Sequence, residues 1–310
     1  SITTLIKPSY TMFFDSAIVA VVAFTVEKTI ENIRGTYFDL GYLGSAESQP
    51  IKFLEAKSNN SSLLKFVASQ QEFKKIPGSP IAYKISECMR ATFSNYPAME
   101  EYAVSSNGIQ TGNNNKYLRV WSEVDVSKMN QKWFPYNKGG SFRKWYGNFE
   151  YYVDWELNGK RIKAEKNSCI RGEEFYFQQG LTWSDVTSGQ LSGRFLPEGF
   201  LFDASGPAAF YSNPEYIYAG LALINTKFVD HVAKILNPTL HFQTGDFRKL
   251  PFGISSISSN IASTVKYLIN IAKKDWDSYE SSWDFTQNPI IRTQQPNLEQ
   301  AFNTWQQQNA

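Results

Sequence analysis

The stretch KWFPYNKGGSFRKWYGNFEYYVD, residues 132–154, decides the character of the middle of this 310-residue chain. It holds nine aromatic residues and four Lys or Arg, with two adjacent glycines, Gly139 and Gly140. Short aromatic segments bounded by Gly, Asn and Ser are typical of β-strands and their turns. Between Val126 and Phe149 there is no acidic residue, so the cations of this stretch have no counter-charge nearby in the sequence.

Two interpretations of this stretch stay open from its residues alone. In one, the rings stack on nucleic-acid bases while the cations contact phosphates, and backbone N–H groups at the glycines approach a phosphate closely. In the other, the rings form the core of β-strands and the cations face solvent. The stretch by itself does not decide between them.

The composition limits what the chain can bind as a whole. Apolar residues make up 42%, aromatic residues 15% and charged residues 19%, with a formal net charge of +2. A chain of this length and composition buries a substantial core in one or two domains. Because the net charge is small, attraction to a polyanion must come from local basic patches.

The cysteines and histidines give no indication of a metal site. Cys88 and Cys169 lie far apart, and His231 and His241 are the only histidines. Their spacing matches neither a zinc motif nor a disulfide framework. We therefore expect two reduced thiols in a cytoplasmic protein.

The longest apolar run is AIVAVVAFTV at 17–26. It is about half of the ~20 residues that a membrane-spanning helix needs, so no membrane segment is predicted. Its composition predicts a strand buried on both faces, and GTYFDLGYL at 35–43 predicts a second strand. We expect the two to form a buried hairpin at the edge of an α/β sheet whose other strands are missing, as in a fragment or a domain that docks on a partner.

Farther along, the pattern divides into helical and β-rich parts. PGSP at 77–80 indicates a boundary, and IAYKISECMRATFSNY at 81–96 predicts a helix. From about 105 to 215, short aromatic segments predict a β-rich domain in which LNGK at 157–160 indicates a hairpin turn. Further helices are predicted at 216–237, in the segment that begins SSISSNIAS, and in the C-terminal EQAFNTWQQQNA.

Two polar loops of the same β-rich region favour nucleic-acid binding. GIQTGNNNKYLR at 108–119 includes Thr111 and Asn115, and GLTWSDVTSGQLSGRF at 180–195 is rich in hydroxyl side chains. Hydroxyls, amides and Arg are the groups that read base edges and hold phosphates. Together with 132–154, three such loops in one domain make the nucleic-acid interpretation the stronger one.

Motifs of catalysis are absent from the sequence. It contains no phosphate-binding P-loop, no Gly-x-Gly-x-x-Gly and no Gly-x-Ser-x-Gly. Acidic pairs such as Glu173 with Glu174 are typical of solvated charges. We therefore expect no complete active site in this chain.

Six segments, taken in order, resemble one family. They are similar to the DNA-recognition half of large adenine-specific DNA methyltransferases of the PglX kind, from the BREX phage-defence systems. The segments are PGSPIAY (77–83), GIQTGNNNKYLRVWSEV (108–124), KWFPYNKGGSFRKWYGNFEYYVDW (132–155), GLTWSDVTSGQLSGRFLPEGFLFD (180–203), LNPTLHFQTGDFRKLPF (236–252) and DWDSYESSWDF (275–285).

The resemblance implies a fold and a cofactor. In that family, the N-terminal half is a Rossmann-like core that binds S-adenosylmethionine through a Phe-x-Gly-x-Gly loop and holds the flipped adenine with Asn-Pro-Pro-Tyr. This chain has neither motif, since NPEY at 213–216 has Glu in place of the second Pro. The expected fold class is α+β: the edge hairpin of a Rossmann-like methyltransferase sheet in 1–75, a helical linker in 76–104, a β-rich target-recognition domain in 105–253 that includes a helix near 216–237, and a C-terminal helical region in 254–310.

The resemblance also assigns the polar residues of the loops to duplex DNA. Phosphate contacts are expected from the glycine-rich loop, at Lys138, Gly139, Gly140, Ser141, Arg143 and Lys144. Base readout is expected from Thr182, Ser184, Thr187, Ser188 and Arg194, with Thr111 and Asn115 as further DNA contacts. No catalytic residue, metal ligand or cofactor-binding residue is expected in this chain.

The predicted function is sequence-specific recognition of duplex DNA for adenine N6 methylation, with catalysis supplied by a separate catalytic half. Three alternatives stay open. One is an interaction module without DNA affinity that docks on other phage-defence proteins or is bound by a phage inhibitor. Another is an inactive fragment of the same family with an exposed apolar hairpin. The third is a carbohydrate-binding β domain, which fits the Trp and Tyr content but not the cationic loops.

Overall fold

The computed structural model describes residues 1–9, 21–28, 33–41, 47–187, 189–253 and 259–308. The chain folds as two compact units, Ser1–Tyr96 and Pro97–Ala310. The segment 76–104, predicted as a linker, is therefore divided between the two units. Helices and several small sheets occur together, so the predicted α+β class is confirmed.

A mixed four-stranded sheet forms the first unit. Its strands are β1 (Ile2–Lys7), β2 (Ala23–Val26), β3 (Arg34–Asp39) and β4 (Lys65–Ser69). The strand order is β2-β1-β3-β4. The central pair, β1 with β3, is parallel, and both outer pairs are antiparallel.

Short helices accompany this sheet. They are α1 (Ser48–Ser58), α2 (Gln70–Phe73) and α3 (Glu87–Asn95). Tyr37 of β3 has no solvent-accessible surface and stacks on Tyr83, with 5.1 Å between ring centroids. The helix predicted at 81–96 begins only at Glu87, because the Ser86 side chain caps it by accepting a hydrogen bond from a backbone N–H of the first turn.

The apolar run at 17–26 does not form a buried hairpin with 35–43. Residues 17–20 lie outside the described part of the chain, and 23–26 form β2, in which all four residues are exposed. β2 pairs with β1, which separates it from β3. The antiparallel pair at the sheet edge is therefore β1 with β2. A strand at a sheet edge has a neighbouring strand on one side only, so its apolar residues can stay exposed to solvent.

The second unit contains two four-stranded sheets. Their strands are β5 (Ala103–Ser106), β6 (Leu118–Val120), β7 (Trp133–Asn137), β8 (Tyr151–Asp154), β9 (Gly180–Trp183), β10 (Gly193–Leu196), β11 (Leu201–Phe202) and β12 (Ala208–Tyr211). One sheet has the order β10-β9-β12-β5 and is antiparallel throughout. The other has the order β11-β7-β8-β6, in which only β11 with β7 is parallel.

Four of the nine aromatic residues of the 132–154 stretch are buried in this unit, four are half-buried and one, Phe142, is exposed. Tyr136 and Phe149 have no solvent-accessible surface, and Tyr146 and Tyr152 are buried. The strand-core interpretation is therefore correct for these rings. Phe142 is the exception described below.

The helices described in the second unit are α4 (Asn114–Tyr117), α5 (Glu156–Lys163), α6 (Tyr216–Ile224), α7 (Lys227–Leu236), α8 (Thr244–Arg248), α9 (Ser259–Trp276), α10 (Pro289–Arg292) and α11 (Leu298–Gln308). The prediction of a single helix at 216–237 is wrong, because the segment forms two helices. Asn225 ends α6, and the Thr226 side chain caps α7 by accepting a hydrogen bond from the N–H of Val229. No helix in the described ranges is long and apolar enough to cross a bilayer.

The Asn-Gly pair of LNGK does not form the predicted hairpin. Leu157, Asn158 and Gly159 all have left-handed backbone, with φ of 51°, 57° and 67°, and they lead from β8 into the rest of α5. Trp155 Nε1 donates a hydrogen bond to Asn158 Oδ1 at 3.2 Å. A Cβ on Gly159 would lie 2.3 Å from the indole ring. The pair supplies the positive φ of a hairpin turn, but it packs against Trp155 and the chain continues as a helix.

Candidate functional site

The glycine-rich loop 138–150 connects β7 to β8. Gly139 and Gly140 have φ of +84° and +128°, values that residues with a Cβ rarely adopt. A Cβ on Gly139 would lie 2.7 Å from the carbonyl oxygen of Ser205. The two glycines therefore let the chain turn away from β7 while it touches the backbone at Ser205.

The loop 138–150 lies against the loop that joins β9 to β10. Ser184 Oγ donates a hydrogen bond to the carbonyl oxygen of Gly140 at 2.8 Å. The Arg143 N–H donates to Ser192 Oγ at 3.4 Å. Two of the three predicted loops are therefore brought together. We call the region formed by 138–144 and 184–192, apart from the undescribed Ser188, the double-loop surface.

Two cations of the double-loop surface are paired with carboxylates. Lys138 Nζ lies 3.4 Å from Asp203 Oδ2, and Arg143 Nη1 lies 2.7 Å from Asp275 Oδ2. The Arg143 guanidinium also lies 5.1 Å from the ring centroid of Trp276. Because these charges are compensated within the protein, either side chain must leave its carboxylate to bind a phosphate.

Lys144 has a different environment. Its Nζ donates to the carbonyl oxygen of Asn225 at 2.9 Å, and within the described ranges no Asp or Glu forms an ion pair with it. The same Nζ lies 5.9 Å from the ring of Phe142, which is 56% exposed. An ammonium group without a carboxylate and an exposed ring thus lie side by side.

Sequence reasoning missed Phe142 as a candidate. The DNA contacts expected from the resemblance fall on cations, glycines, hydroxyl residues and Asn115, and none of them falls on an aromatic ring. The position of Phe142 between Ser141 and Arg143, a few residues after the two glycines and outside both flanking strands, is the signal that would have found it.

Three residues predicted to read base edges, Thr182, Ser184 and Arg194, are buried. Thr182 Oγ1 donates to the carbonyl oxygen of Pro207 at 2.9 Å and accepts from Asn137 Nδ2 at 2.7 Å. Thr182 and Arg194 have no solvent-accessible surface, so in this conformation they do not reach a base edge and the prediction of base readout does not fit them. The physical reason is that they belong to β9 and β10 rather than to the loop between those strands.

The other predicted residues of these loops differ in accessibility. Gly139 is buried, and Lys138, Arg143 and Lys144 are half-buried. Gly140 and Ser141 are exposed, and Thr187 is half-buried. Thr187 Oγ1 donates to the carbonyl oxygen of Gln190 at 3.2 Å. Ser188 lies outside the described residues, so its predicted role stays a prediction.

Polar groups of the third predicted loop, 108–119, bond to one another and to the neighbouring segment 165–169. The Thr111 side chain is buried and donates to Asn114 Oδ1 at 2.7 Å. Gln110 exchanges two backbone hydrogen bonds of 2.8 Å with Cys169. Asn115 is exposed. Among the hydrogen bonds of the described residues, none joins Thr111 or Asn115 to the double-loop surface.

Burial controls the electrostatics beneath the double-loop surface. Burial, and next to it the charge of Arg143, lower the pKa of Arg194 to about 10. Burial and the nearby carboxylate of Asp203 raise the pKa of Tyr136 well above its usual range. Tyr136 therefore stays protonated and donates to Asp203 Oδ2 at 2.7 Å, which fixes the carboxylate that pairs with Lys138.

Known proteins give a clear sequence relationship. No protein-family model matches the chain. It is 41% identical over 232 residues, 72% of its length, to adenine-specific methyltransferase BrxX of Escherichia coli O9:H4 (strain HS). It is 33% identical to adenine-specific methyltransferase PglX of Lacticaseibacillus casei (strain Zhang), in an alignment 317 positions long that covers 94% of this chain. The chain spans 19% of the first relative and 26% of the second.

These identities define the class: the chain is homologous to a part of the adenine-specific methyltransferases. Within that class it belongs with the PglX-like BREX methyltransferases, which confirms the predicted family. That the chain is the DNA-recognition half of such a protein stays a prediction. Among solved structures, the type IIG restriction endonuclease BpuSI aligns with 98% of this chain and 42% of its own, with a TM-score of 0.35 and 8% identity. That likeness is too weak to carry a conclusion.

Proposed function

We propose that this chain is the part of an adenine-specific methyltransferase that recognises duplex DNA. The double-loop surface carries the proposal, because an exposed aromatic ring, an ammonium group without a carboxylate and an exposed Gly-Ser turn occur together there. Rings and cations in such an arrangement bind nucleic acid through stacking and phosphate contact. The homology to adenine-specific methyltransferases makes duplex DNA the polyanion that fits.

The proposed contacts divide into two groups. Lys144 and the backbone N–H groups of Gly140 and Ser141 bind phosphates, while Phe142 packs against the sugars or bases beside them. Thr187 and Ser188 are the side chains proposed for base readout. Lys138 and Arg143 add phosphate contacts when they leave Asp203 and Asp275 and bind DNA instead. Gly139 supplies the backbone turn of the segment that carries both side chains.

We assign no step of methyl transfer to these residues. The sequence contains neither the Phe-x-Gly-x-Gly nor the Asn-Pro-Pro-Tyr motif that the resemblance leads us to expect in a catalytic half. An adenine must leave the helix before its N6 can react. We propose that this step and the methyl donor belong to a catalytic half outside this chain, in the cytoplasm, and that this polypeptide alone does not methylate DNA.

The test is binding of the 310-residue chain to a randomised duplex DNA pool, followed by sequencing of the retained DNA. Fluorescence anisotropy at about 50 and 200 mM salt gives the salt dependence, and about five phosphate contacts correspond to a log–log slope near −4.5. Salt-sensitive binding with an enriched motif supports the proposal. Absence of binding at the lower salt concentration overturns it and favours a protein-interaction module.

A further inference from the structure

A guanidinium without a counter-charge is buried beneath the double-loop surface. Arg194 has no solvent-accessible surface. Its Nη2 donates to Ser184 Oγ at 3.3 Å, while Nε and Nη1 have no acceptor among the described residues. Moving a charged group out of water without acceptors is strongly unfavourable. The unused N–H groups therefore point to a ligand that supplies acceptor oxygens.

The groups around Arg194 suit an anion. The positive charge of Arg143 lowers the pKa of Arg194 further, beyond the effect of burial. The Ser184 hydroxyl donates to the carbonyl oxygen of Gly140, and the Ser192 hydroxyl accepts from the N–H of Arg143, so both hydroxyls lie at the contact between the two loops. In the part of the chain that the structure describes, no carboxylate forms an ion pair with Arg194. The Arg194 guanidinium and the Ser184 hydroxyl offer donors for phosphate oxygens, and the Arg143 guanidinium can add to them once it leaves Asp275.

The segment 139–141 contains two glycines and is joined to Arg194 through Ser184. The Ser184 hydroxyl accepts from Arg194 and donates to the carbonyl oxygen of Gly140 at 2.8 Å. A second hydrogen bond, from Asn148 Nδ2 to the carbonyl oxygen of Ser141 at 2.8 Å, also holds this segment. Gly140 is exposed, and it and Gly139 have positive φ, so this segment has backbone freedom that other residues lack. Movement of the Gly140 carbonyl away from Ser184 frees the hydroxyl and opens the route to the guanidinium.

We propose that Arg194 and Ser184 form an anion site for one phosphate group, reached when the segment 139–141 moves aside. The shared chemistry is a phosphate with at least two free oxygens. Its source is either a backbone phosphate of DNA, which rests on the proposed function, or inorganic phosphate, which does not.

The first experiment uses the full 310-residue chain and inorganic phosphate. Thermal unfolding is followed at pH 7 as phosphate replaces chloride at constant ionic strength. We expect a saturable rise of the midpoint, about 3 °C or more at tenfold excess over the dissociation constant. The absence of a phosphate-specific rise in the unmodified chain overturns the proposal, whatever the variants do.

Variants locate the site. Arg194→Met removes the charge and should abolish the rise, while Arg194→Lys, which keeps a charge, should retain part of it. The control is Arg171→Met, an equal change of charge at an exposed position, which should leave the rise unchanged. A full rise in Arg194→Met overturns the assignment. If that variant does not fold, Ser184→Ala decides instead, since it removes one proposed donor to the phosphate. We expect a smaller rise than in the unmodified chain, and an unchanged rise overturns the proposal.

DNA binding distinguishes the two sources of phosphate. Arg194→Met should reduce the magnitude of the log–log salt slope by about 0.9, one phosphate, with no change in Arg171→Met. A phosphate response without any DNA binding supports the anion site and refutes the proposed function. DNA binding with neither a phosphate response nor a slope change refutes the anion site and leaves the proposed function standing. A phosphate response with an unchanged slope assigns the site to inorganic phosphate.

Discussion

The loops 138–150 and 108–119 have similar polar compositions but use their side chains differently. In 108–119, Lys116 Nζ pairs with Glu165 Oε2 at 2.8 Å, and the hydroxyl and amide groups bond to one another. In 138–150, Lys144 has only a carbonyl partner in the described structure. A loop rich in Asn and Lys can thus be a self-contained structural element. A binding surface is indicated where a cation has no carboxylate partner among the described residues and an aromatic ring beside it stays exposed.

The largest expected effect is on the free energy of unfolding, and it concerns Asn137, the residue that precedes the loop 138–150. Asn137 is buried, and its Nδ2 donates to Thr182 Oγ1 at 2.7 Å and to the carbonyl oxygen of Gly206 at 3.0 Å. Asn137→Ala leaves both acceptors without this donor and should lower the free energy of unfolding by about 2–4 kcal/mol in urea denaturation. Asn115→Ala, at an exposed position in the other loop, should change it by less than about 0.5 kcal/mol. Equal effects would contradict the contrast between the loops.

The next effect is on DNA affinity. Phe142→Ala should weaken duplex binding by about 1–3 kcal/mol, the value of one stacked aromatic contact, measured by anisotropy. Because the ring is 56% exposed, the urea midpoint should hardly change. Leu157→Ala is the matched control, since Leu157 is 77% exposed elsewhere in the unit, and its DNA affinity should equal that of the unmodified chain. Unchanged binding by Phe142→Ala would remove the ring from the proposed interface.

A smaller effect, on the salt dependence of DNA binding, distinguishes Lys144 from Lys116. Lys144→Met should reduce the magnitude of the salt slope by about 0.9, because one phosphate contact is lost. Lys116→Met carries the same change of charge in the self-contained loop and should leave the slope unchanged. If both variants change the slope equally, the presence of a carboxylate partner does not decide which lysine meets DNA.

The smallest effect is a pH dependence in 108–119. Hydrogen bonds from Lys116 and then from Tyr117 lower the pKa of the Glu165 carboxyl below its ordinary value of 4.5. A carboxyl with a depressed folded-state pKa contributes stability that is present above its unfolded pKa and lost as pH falls through the folded pKa. We expect NMR signals of Lys116 and Tyr117 to shift with a midpoint below 4.5. Glu165→Gln should abolish this shift, and a midpoint above that value would contradict the depressed pKa.

Much of the fold follows from local sequence. The helices α9 and α11 and the aromatic strands of the second unit were predicted because their patterns repeat over several residues. The errors fall where tertiary contacts override a local rule. The Asn-Gly pair at 158–159 packs on Trp155 instead of turning a hairpin, and β2 lies at an edge where its apolar residues stay exposed.

The candidate site was predicted less completely. Residue types located the loops 138–144 and 184–192 correctly as neighbours of the β-rich core, yet composition cannot tell which polar side chains point inward. Arg194 and Thr182 are opposite each other in the β10–β9 pair, so their side chains share one face of the sheet, and both are buried. The partner of Lys144 is the carbonyl oxygen of Asn225, which is distant in sequence. No local pattern around Lys144 could have predicted this contact.

The Asn137 amide has a mechanical consequence. Asn137 is the last residue of β7, whereas Thr182 belongs to β9 of the other sheet. The short contact between them fastens the two sheets together at the point where the loop 138–150 begins. A ligand that binds this loop therefore lies beside a hydrogen bond that joins both sheets.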